Sequence, residues 1–464
     1  MSRHFSVVGL GKLGASMAAG IASRAHQVIG VDVSPHVVKA VNEGRAPVQE
    51  TGLEDLIRAN RERIRATEDH QEAILNSELT FAIVPTPSDE RGAFSLQYAA
   101  FAFREIGRAL GKKKGYHTVV LTSTVLPGAS RHGLIPILEK FSGKKCGTDF
   151  GFCYSPEFIA LGTVIRDFLN PDFLLIGESD ERAGAHLEEC YRDIIPNGAP
   201  AARMSLENAE LAKISVNAFV TIKITFANML ADICSRVPGG NVDVVSNAIG
   251  LDSRIGRKYL TGALGYGGPC FPRDNVALAF LARAVGAVAD LPAITDRLNR
   301  DIADRMRAYV ESHTPPGSTI AVLGLAYKPS SHVVEESQAI YLVKTLVDHH
   351  YRVVAYDPLA ALTANQELRG RALILDSPAE CIRDADVVLV ATPDPQFSAL
   401  RAEDFTTGTK VPIVIDFWRT LAPALANESR VKYVPYGYGA PEDDQAARRL
   451  RDLWADAVKY VGGA

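Results

Sequence analysis

The chain has no Cys-x-x-Cys pair and no ligand spacing of the kind a metal site needs. Its six cysteines, Cys146, Cys153, Cys190, Cys234, Cys270 and Cys381, are scattered. Neither a zinc site nor a disulfide framework is expected, and a reduced cytoplasmic protein without a metal is. No apolar run approaches the roughly 18 residues a membrane span requires, so no membrane is expected as a partner. The charge excess is small: a net −4 at pH 7 gives no general case for nucleic acid, although a local basic patch could still serve phosphates. Arg3 and His4 before an apolar stretch loosely mimic a signal peptide. Four glycines within residues 9–20, with Lys12 among them, favour a folded element instead. A chain of 464 residues is too long for one core.

What is present begins with a strand-like run from His4 that enters Gly9-Leu-Gly11-Lys12-Leu13-Gly14 and continues as a small-residue helix. The next strand, Gln27 to Asp32, ends in an acid. Strand, glycine turn, helix, strand and acid together are the setting in which this pattern binds a dinucleotide. Gly9 makes the tight turn, Gly11 admits a pyrophosphate to backbone amides, Gly14 packs helix on sheet, and the helix N-terminus favours the negative charge. Residues 33–36 contain no arginine, which points to NAD rather than NADP.

The alternation continues through strands ending at Pro85-Thr86-Pro87, Ser123-Thr124-Val125 and Ser155-Pro156-Glu157-Phe158. Ligands of an open parallel sheet sit at such carboxyl ends, which marks Thr86, Thr124 and Glu157. Turn caps and a surface charge are the plainer alternatives. From about Ser205 to Arg236 neither proline nor glycine occurs, and a helix of about 30 residues is expected. Most of it is apolar, with one narrow polar line, Glu210, Lys213, Asn217, Thr221, Thr225, Asn228 and Asp232, at spacings of 3 and 4. That line is either a narrow solvent face or the border of a cavity into which Lys213 and Asn217 point.

Gly262 to Asp274 carries four glycines and two prolines, which argues against regular helix or strand. This rigid segment holds Cys270 with Arg273 and Asp274 close behind, and a nearby cation would lower the pKa of the thiol. A small buried cysteine is the alternative. A helical region is expected over about 275–310, then a linker at Thr314-Pro-Pro-Gly317. The remainder partly repeats the beginning, with strands ending at Gly324, Asp357, Thr392 and Asp416. Its turn, Gly324 to Lys328, lacks the second and third glycines, so something other than a whole dinucleotide is expected there. Lys328 and Arg419 could hold phosphates or be surface cations. The expected architecture is α/β: two doubly wound Rossmann-like domains, 1–203 and 315–464, joined by a central helical domain, 204–314, with one long helix.

Five motifs in register make the chain resemble the UDP-glucose/GDP-mannose dehydrogenase family of nucleotide-sugar 6-dehydrogenases. They are Gly-Tyr-Gly-Gly-x-Cys270-Phe-Pro-Arg-Asp274, Ser-Pro-Glu157-Phe, Glu210-x-x-Lys213-x-x-x-Asn217, Asp252-x-Arg254-Ile-Gly and Gly324-x-Ala-Tyr-Lys328. The resemblance implies oxidation of a sugar C6 alcohol to a carboxylate with two NAD, closest to the UDP-glucose branch. By it, Cys270 forms a thiohemiacetal and then a thioester, Glu157 with water near Thr124 hydrolyses the thioester, and Lys213 and Asn217 stabilise oxyanions. Asp274, by the same resemblance, orients water or assists proton transfer. Gly9, Gly11, Lys12, Leu13, Gly14, Asp32, Thr86 and Thr124 bind NAD. Phe158, Arg254, Tyr259, Gly267, Phe271, Lys328 and Arg419 contact the nucleotide sugar, with Arg254 reaching a neighbouring subunit. The long helix is then the core of a homodimer. Three places depart from the family pattern: Pro269 before the cysteine, Leu161 where an acid is frequent, and Val333-Val-Glu335-Glu-Ser337 in place of Asp-x-Arg-x-Ser, an acid replacing a cation. Two rival readings are a two-electron dehydrogenase of the 6-phosphogluconate or hydroxyacyl type, which needs no Cys270, and a non-catalytic nucleotide-sugar sensor.

Overall fold

The computed structural model describes residues 2–159, 162–315, 317–406, 410–440 and 443–455. Leu161 lies outside them, as does Pro316 of the expected linker. The chain forms two compact units, Met1–Val216 with Ala277–Val288, and Asn217–Val276 with Ala289–Ala464. The helical stretch expected at 204–314 is thus shared out between the two.

The first unit is built on eight strands: β1 (His4–Val8), β2 (Gln27–Val31), β3 (Ile64–Thr67), β4 (Leu79–Ala82), β5 (Thr118–Leu121), β6 (Gly151–Tyr154), β7 (Leu174–Glu178) and β8 (Ala201–Ser205). Their order is β3-β2-β1-β4-β5-β6-β7-β8. Neighbours are parallel except β6 and β7, which run antiparallel. The sheet is therefore mixed, because the chain leaving β6 returns from the same edge instead of crossing a face. Phe5 and Val7 feed one apolar layer and Val8 the other, so both faces of β1 are covered, as a central parallel strand requires. The order reverses between β1 and β4. The carboxyl ends of β1, β4, β5 and β6 consequently lie along one edge of the sheet, where such folds take their ligands.

Two glycines fix the turn at that edge. Gly9 has φ +94°, and a Cβ there would lie 2.0 Å from the Ile83 carbonyl oxygen. A Cβ on Gly14 would lie 1.8 Å from the Gly9 carbonyl oxygen, whereas one on Gly11 would meet nothing within 4 Å. The ends of β4 and β5 are fastened together as well. Ser123 Oγ accepts from the Val84 amide (2.9 Å) and donates to the Val84 carbonyl (2.7 Å). Thr86 Oγ1 donates to the Thr124 carbonyl (2.8 Å).

The second unit holds β9 (Thr319–Leu323), β10 (Arg352–Tyr356), β11 (Leu373–Ile374), β12 (Val387–Val390), β13 (Ile413–Asp416) and β14 (Lys432–Pro435). They are all parallel, in the order β11-β10-β9-β12-β13-β14. Asp357, the counterpart of Asp32, spends its carboxylate on four backbone amides. Leu325 and Ala326 of the β9 turn donate to one oxygen, Leu359 and Ala360 to the other. Arg419, at φ +59° just beyond β13, is buried rather than a surface cation. Its guanidinium forks onto Asp243 (2.9 and 3.0 Å) and donates to the carbonyls of Gly262 (2.7 Å), Phe417 (2.7 Å) and Tyr436 (3.2 Å).

The long helix spans Leu206–Ser235, and its amphipathicity is inverted. Glu210, Lys213, Thr221 and Asn228 of the polar line are buried, while Phe219, Phe226, Met229 and Ile233 are exposed, Phe219 at 63%. By length and composition alone this helix is apolar enough to cross a membrane. That corrects the expectation that no apolar run comes near this length: polar residues every third or fourth position interrupt the run without lowering its average hydropathy enough. The helical region expected over about 275–310 is three helices, Phe271–Ala284, Asp290–Arg300 and Ile302–His313. Gly286, at φ +74°, separates the first two. The first helix starts inside the segment expected to be irregular. Pro272 permits this, since proline in a first turn gives up no intrahelical bond.

Two substitutions test these constraints. Gly14→Ala forces its Cβ into a backbone carbonyl and should cost roughly 1–3 kcal/mol, seen as a lower thermal midpoint together with weakened dinucleotide binding. Arg419→Met leaves three carbonyls without this donor and, among the described side chains, Asp243 with only the Tyr438 hydroxyl, and is expected to cost about 1–3 kcal/mol in a denaturant titration.

Candidate active site

In the first unit, Gly11 caps the N-terminus of the helix Lys12–Ser23, with Lys12 and Leu13 partly exposed in its first turn. Asp32 accepts from the Leu10 amide at one oxygen (2.8 Å) and from the Ser34 amide at the other (2.9 Å). Open space over Gly11, a helix N-terminus and an anchored acid at the end of β2 suit the pyrophosphate and ribose of NAD.

Glu157 stands just past β6. Burial pushes its pKa up to about 7, against the opposing pull of the Lys213 charge. Lys213 Nζ donates to the Glu157 carbonyl (2.6 Å) and lies 4.3 Å from the centroid of the Phe158 ring. Phe158 in turn packs on Phe173 at 4.9 Å. A buried ammonium beside a ring face places positive charge where an oxyanion could be stabilised, and a carboxylate titrating near neutrality suits a general base. One turn before Lys213, Glu210 accepts from the amides of Gly128 (2.6 Å) and Ser130 (2.8 Å). It thereby anchors the loop that descends from Thr124.

In the second unit, Cys270 immediately precedes the helix Phe271–Ala284, and its carbonyl accepts from the Asp274 amide (2.9 Å). Of the six free cysteines it alone is exposed; four are buried and Cys146 is partly so. A thiol at a helix N-terminus is stabilised as thiolate, whereas burial pushes the pKa values of Cys153, Cys190, Cys234 and Cys381 up. Asp274 is buried and accepts from Asn217 Nδ2 at 2.6 Å.

The segment before Cys270 is held at nearly every residue. Asn228 of the long helix accepts from the Ala263 amide (2.8 Å) and donates to the Leu264 carbonyl (3.2 Å). Asn299 accepts from the Tyr266 amide and donates to the Tyr266 carbonyl, both at 2.9 Å. Gln338 also donates to that carbonyl (3.1 Å), and the Gly268 amide donates to the Glu335 carbonyl (2.9 Å). Gly267 and Gly268 lie so close to Glu336 and Tyr327 that a Cβ would sit 2.3 Å from the Glu336 carbonyl oxygen or 2.6 Å from the Tyr327 ring. The run that departs from the family pattern, Val333 to Glu335, thus contributes backbone to the loop, while the Glu335 side chain is exposed. Nothing in the structure explains Pro269.

The remaining expected ligands belong to the second unit. Phe271 packs edge-on to Tyr266 at 6.2 Å, and Lys328 Nζ lies 5.8 Å from the Tyr327 ring centroid. Arg254 is exposed and forked onto Asp252, and Tyr259 is 52% exposed at φ +65°. Arg419 is buried in the contacts described above. No local pattern marks Asn299, Gln338 or Asp243, whose partners are 33, 72 and 176 residues away. Asn228 and Thr221 were visible only as members of the polar line.

The UDP-glucose/GDP-mannose dehydrogenase family models match the NAD-binding domain at residues 3–195, the central domain at 207–301 and the UDP-binding domain at 321–423. A UDP-glucose 6-dehydrogenase of Haloferax volcanii is 37% identical over 89% of this chain and 96% of its own. A GDP-mannose 6-dehydrogenase of Azotobacter vinelandii is 32% identical over 89% and 97%. The solved UDP-glucose dehydrogenase of Pyrobaculum islandicum superposes with a TM-score of 0.83 at 30% identity, covering 94% of this chain and 98% of that one. With its NAD turn, its two Rossmann-like sheets and its central helices, the chain belongs to the UDP-glucose/GDP-mannose dehydrogenase family and is an NAD-dependent nucleotide-sugar 6-dehydrogenase.

Proposed function

We propose that the protein oxidises the C6 alcohol of UDP-glucose to the carboxylate of UDP-glucuronate through a thioester on Cys270. The observation that carries this reading is the exposed Cys270 thiol, at a helix N-terminus on an anchored loop, next to the bonded pair Asn217–Asp274. A two-electron dehydrogenase has no use for such a thiol. A sensor has no reason to keep it together with Glu157, Lys213, Asn217 and Asp274.

NAD, when bound, accepts one hydride in each of the two oxidations. Lys213 and Asn217, four residues apart on one helix, donate to the C6 oxygen while it carries negative charge. Cys270 thiolate adds to the aldehyde carbon, forming the C–S bond, and the resulting oxyanion takes up a proton. A thiohemiacetal carbon bears the hydride that the second oxidation removes; as it leaves, the hydroxyl gives its proton to water and the thioester remains. Glu157 then takes a proton from water, held by Thr124, as that water adds to the thioester carbonyl. Collapse of the oxyanion breaks the C–S bond, and Cys270 leaves as thiolate. Asp274 orients the donors around this step. Phe158, Gly267, Phe271, Tyr259 and Lys328 contact the nucleotide sugar, and Arg254 serves a second copy's site. Arg419, buried against Asp243 and three carbonyls, holds the Gly262 end of the loop instead.

UDP-glucose is preferred over GDP-mannose because the Haloferax relative is the more similar of the two described, at 37% against 32% identity. The exposed apolar residues of the long helix support a homodimer that pairs along it. A panel of UDP-, GDP- and TDP-hexoses tests the substrate, with UDP-glucose expected to give the highest kcat/KM.

Two further outcomes are expected. Cys270→Ser should lower turnover by roughly 10³-fold and reduce the NADH formed per sugar from two to at most one. Two NADH per sugar at undiminished turnover would remove the covalent mechanism. Hydrolysis of the accumulated thioester should accelerate as pH rises through about 7, because only ionised Glu157 can accept the proton and burial has raised its pKa to that value. Glu157→Gln should flatten that pH dependence in rapid-quench measurements.

A further inference from the structure

Tyr266 is the best-held residue of the loop that leads to Cys270. Asn299 is buried and reads both polar groups of this one residue, accepting from its amide and donating to its carbonyl at 2.9 Å each. The fit leaves no slack: a Cβ on the preceding Gly265 would lie 2.2 Å from Asn299 Oδ1. The far end of the Tyr266 side chain is fixed too. Its hydroxyl accepts from Asn275 Nδ2 (2.9 Å), and Asn275 is bonded to Thr221 of the long helix (3.0 Å). Between Tyr266 and Cys270 lie only Gly267, Gly268 and Pro269. Gly267 and Gly268 are pressed against Glu336 and Tyr327, and proline has a fixed φ. A displacement of the Tyr266 peptide therefore has little chain in which to dissipate before it reaches the thiol.

We propose that Asn299 is a positioning residue for the Cys270 thiol: its paired hydrogen bonds to Tyr266 set where the sulfur stands at the start of the helix Phe271–Ala284. An asparagine is the side chain for this task, since it offers one acceptor and one donor in a plane that matches the donor and acceptor of a peptide backbone. The isosteric Asn299→Asp keeps the acceptor and loses the donor, so the Tyr266 carbonyl faces a carboxylate oxygen instead of an amide. The thiol's part in catalysis rests on the function proposed above; its position does not.

The test has one measurement on the protein itself and two on Asn299→Asp. In the unaltered protein, hydrogen–deuterium exchange should find the Tyr266 amide protected; exchange at the rate of an open loop would overturn the proposal even if the variant fails to fold. In a folded Asn299→Asp variant with unchanged NAD affinity, alkylation of Cys270 by iodoacetamide, read on the loop peptide by mass spectrometry, should slow by about tenfold at pH 7. With UDP-glucose and NAD, the same variant should release aldehyde, so that NADH per sugar falls from two toward one. A purely structural role would lower turnover and leave both the alkylation rate and the ratio where they were, which overturns the proposal. Slowed alkylation in a protein that oxidises no nucleotide sugar would instead uphold the positioning role and refute the function assigned to the thiol.

Discussion

A peptide group buried without a partner costs about 1–3 kcal/mol, and much of the loop from Gly262 to Gly268 avoids this cost without being part of a strand or helix. Side chains supply the partners. Arg419 takes the Gly262 carbonyl, Asn228 takes Ala263 and Leu264, and Asn299 and Gln338 take Tyr266. The Glu335 carbonyl takes the Gly268 amide. The clamps come from four stretches of the second unit, around Asn228, Asn299, Glu335–Gln338 and Arg419, so the loop's position is set by several elements at once. The glycines follow from this arrangement. At Gly262, Gly265 and Gly267 a side chain would occupy the space of the Ala227 carbonyl, the Asn299 amide and the Glu336 carbonyl.

The long helix obeys the same economy from the other side. A helix with a narrow polar line would ordinarily turn that line to water, yet here Glu210, Lys213, Thr221 and Asn228 are buried and have partners to satisfy. Glu210 holds the Gly128–Ser130 loop in the first unit, and Asn228 holds the cysteine loop in the second. One continuous helix thereby supplies anchors to loops in both units, along with the amine at Lys213 and the amide at Asn217. The inversion leaves aromatic and aliphatic side chains such as Phe219 and Phe226 exposed.

Much of this was legible in the sequence, for physical reasons. The glycine turn, the acid at Asp32 and the strand ends at Thr86, Thr124 and Glu157 are short-range patterns, and strand order follows from alternating strands and helices. The long helix showed itself by the absence of proline and glycine. The antiparallel β7 did not, because a local pattern does not tell whether the chain crosses a sheet face or turns back. Nor did the fate of Arg419: an arginine just past a strand reads as a phosphate ligand until Asp243, 176 residues distant, is found against it. Asn299 and Gln338 were invisible for the same reason. Pro272 misled in the other direction, since proline and glycine density suggested an irregular segment where a helix begins.

The central claim is that the Cys270 sulfur carries the substrate through its second oxidation. Mass spectrometry of the Glu157→Gln variant, quenched in acid after mixing with UDP-glucose and NAD, tests this most directly. The account predicts a mass increment equal to the UDP-glucuronyl group on the peptide that contains Cys270 and on no other cysteine. An unmodified Cys270 peptide in a sample that has nonetheless formed two NADH per sugar would contradict it.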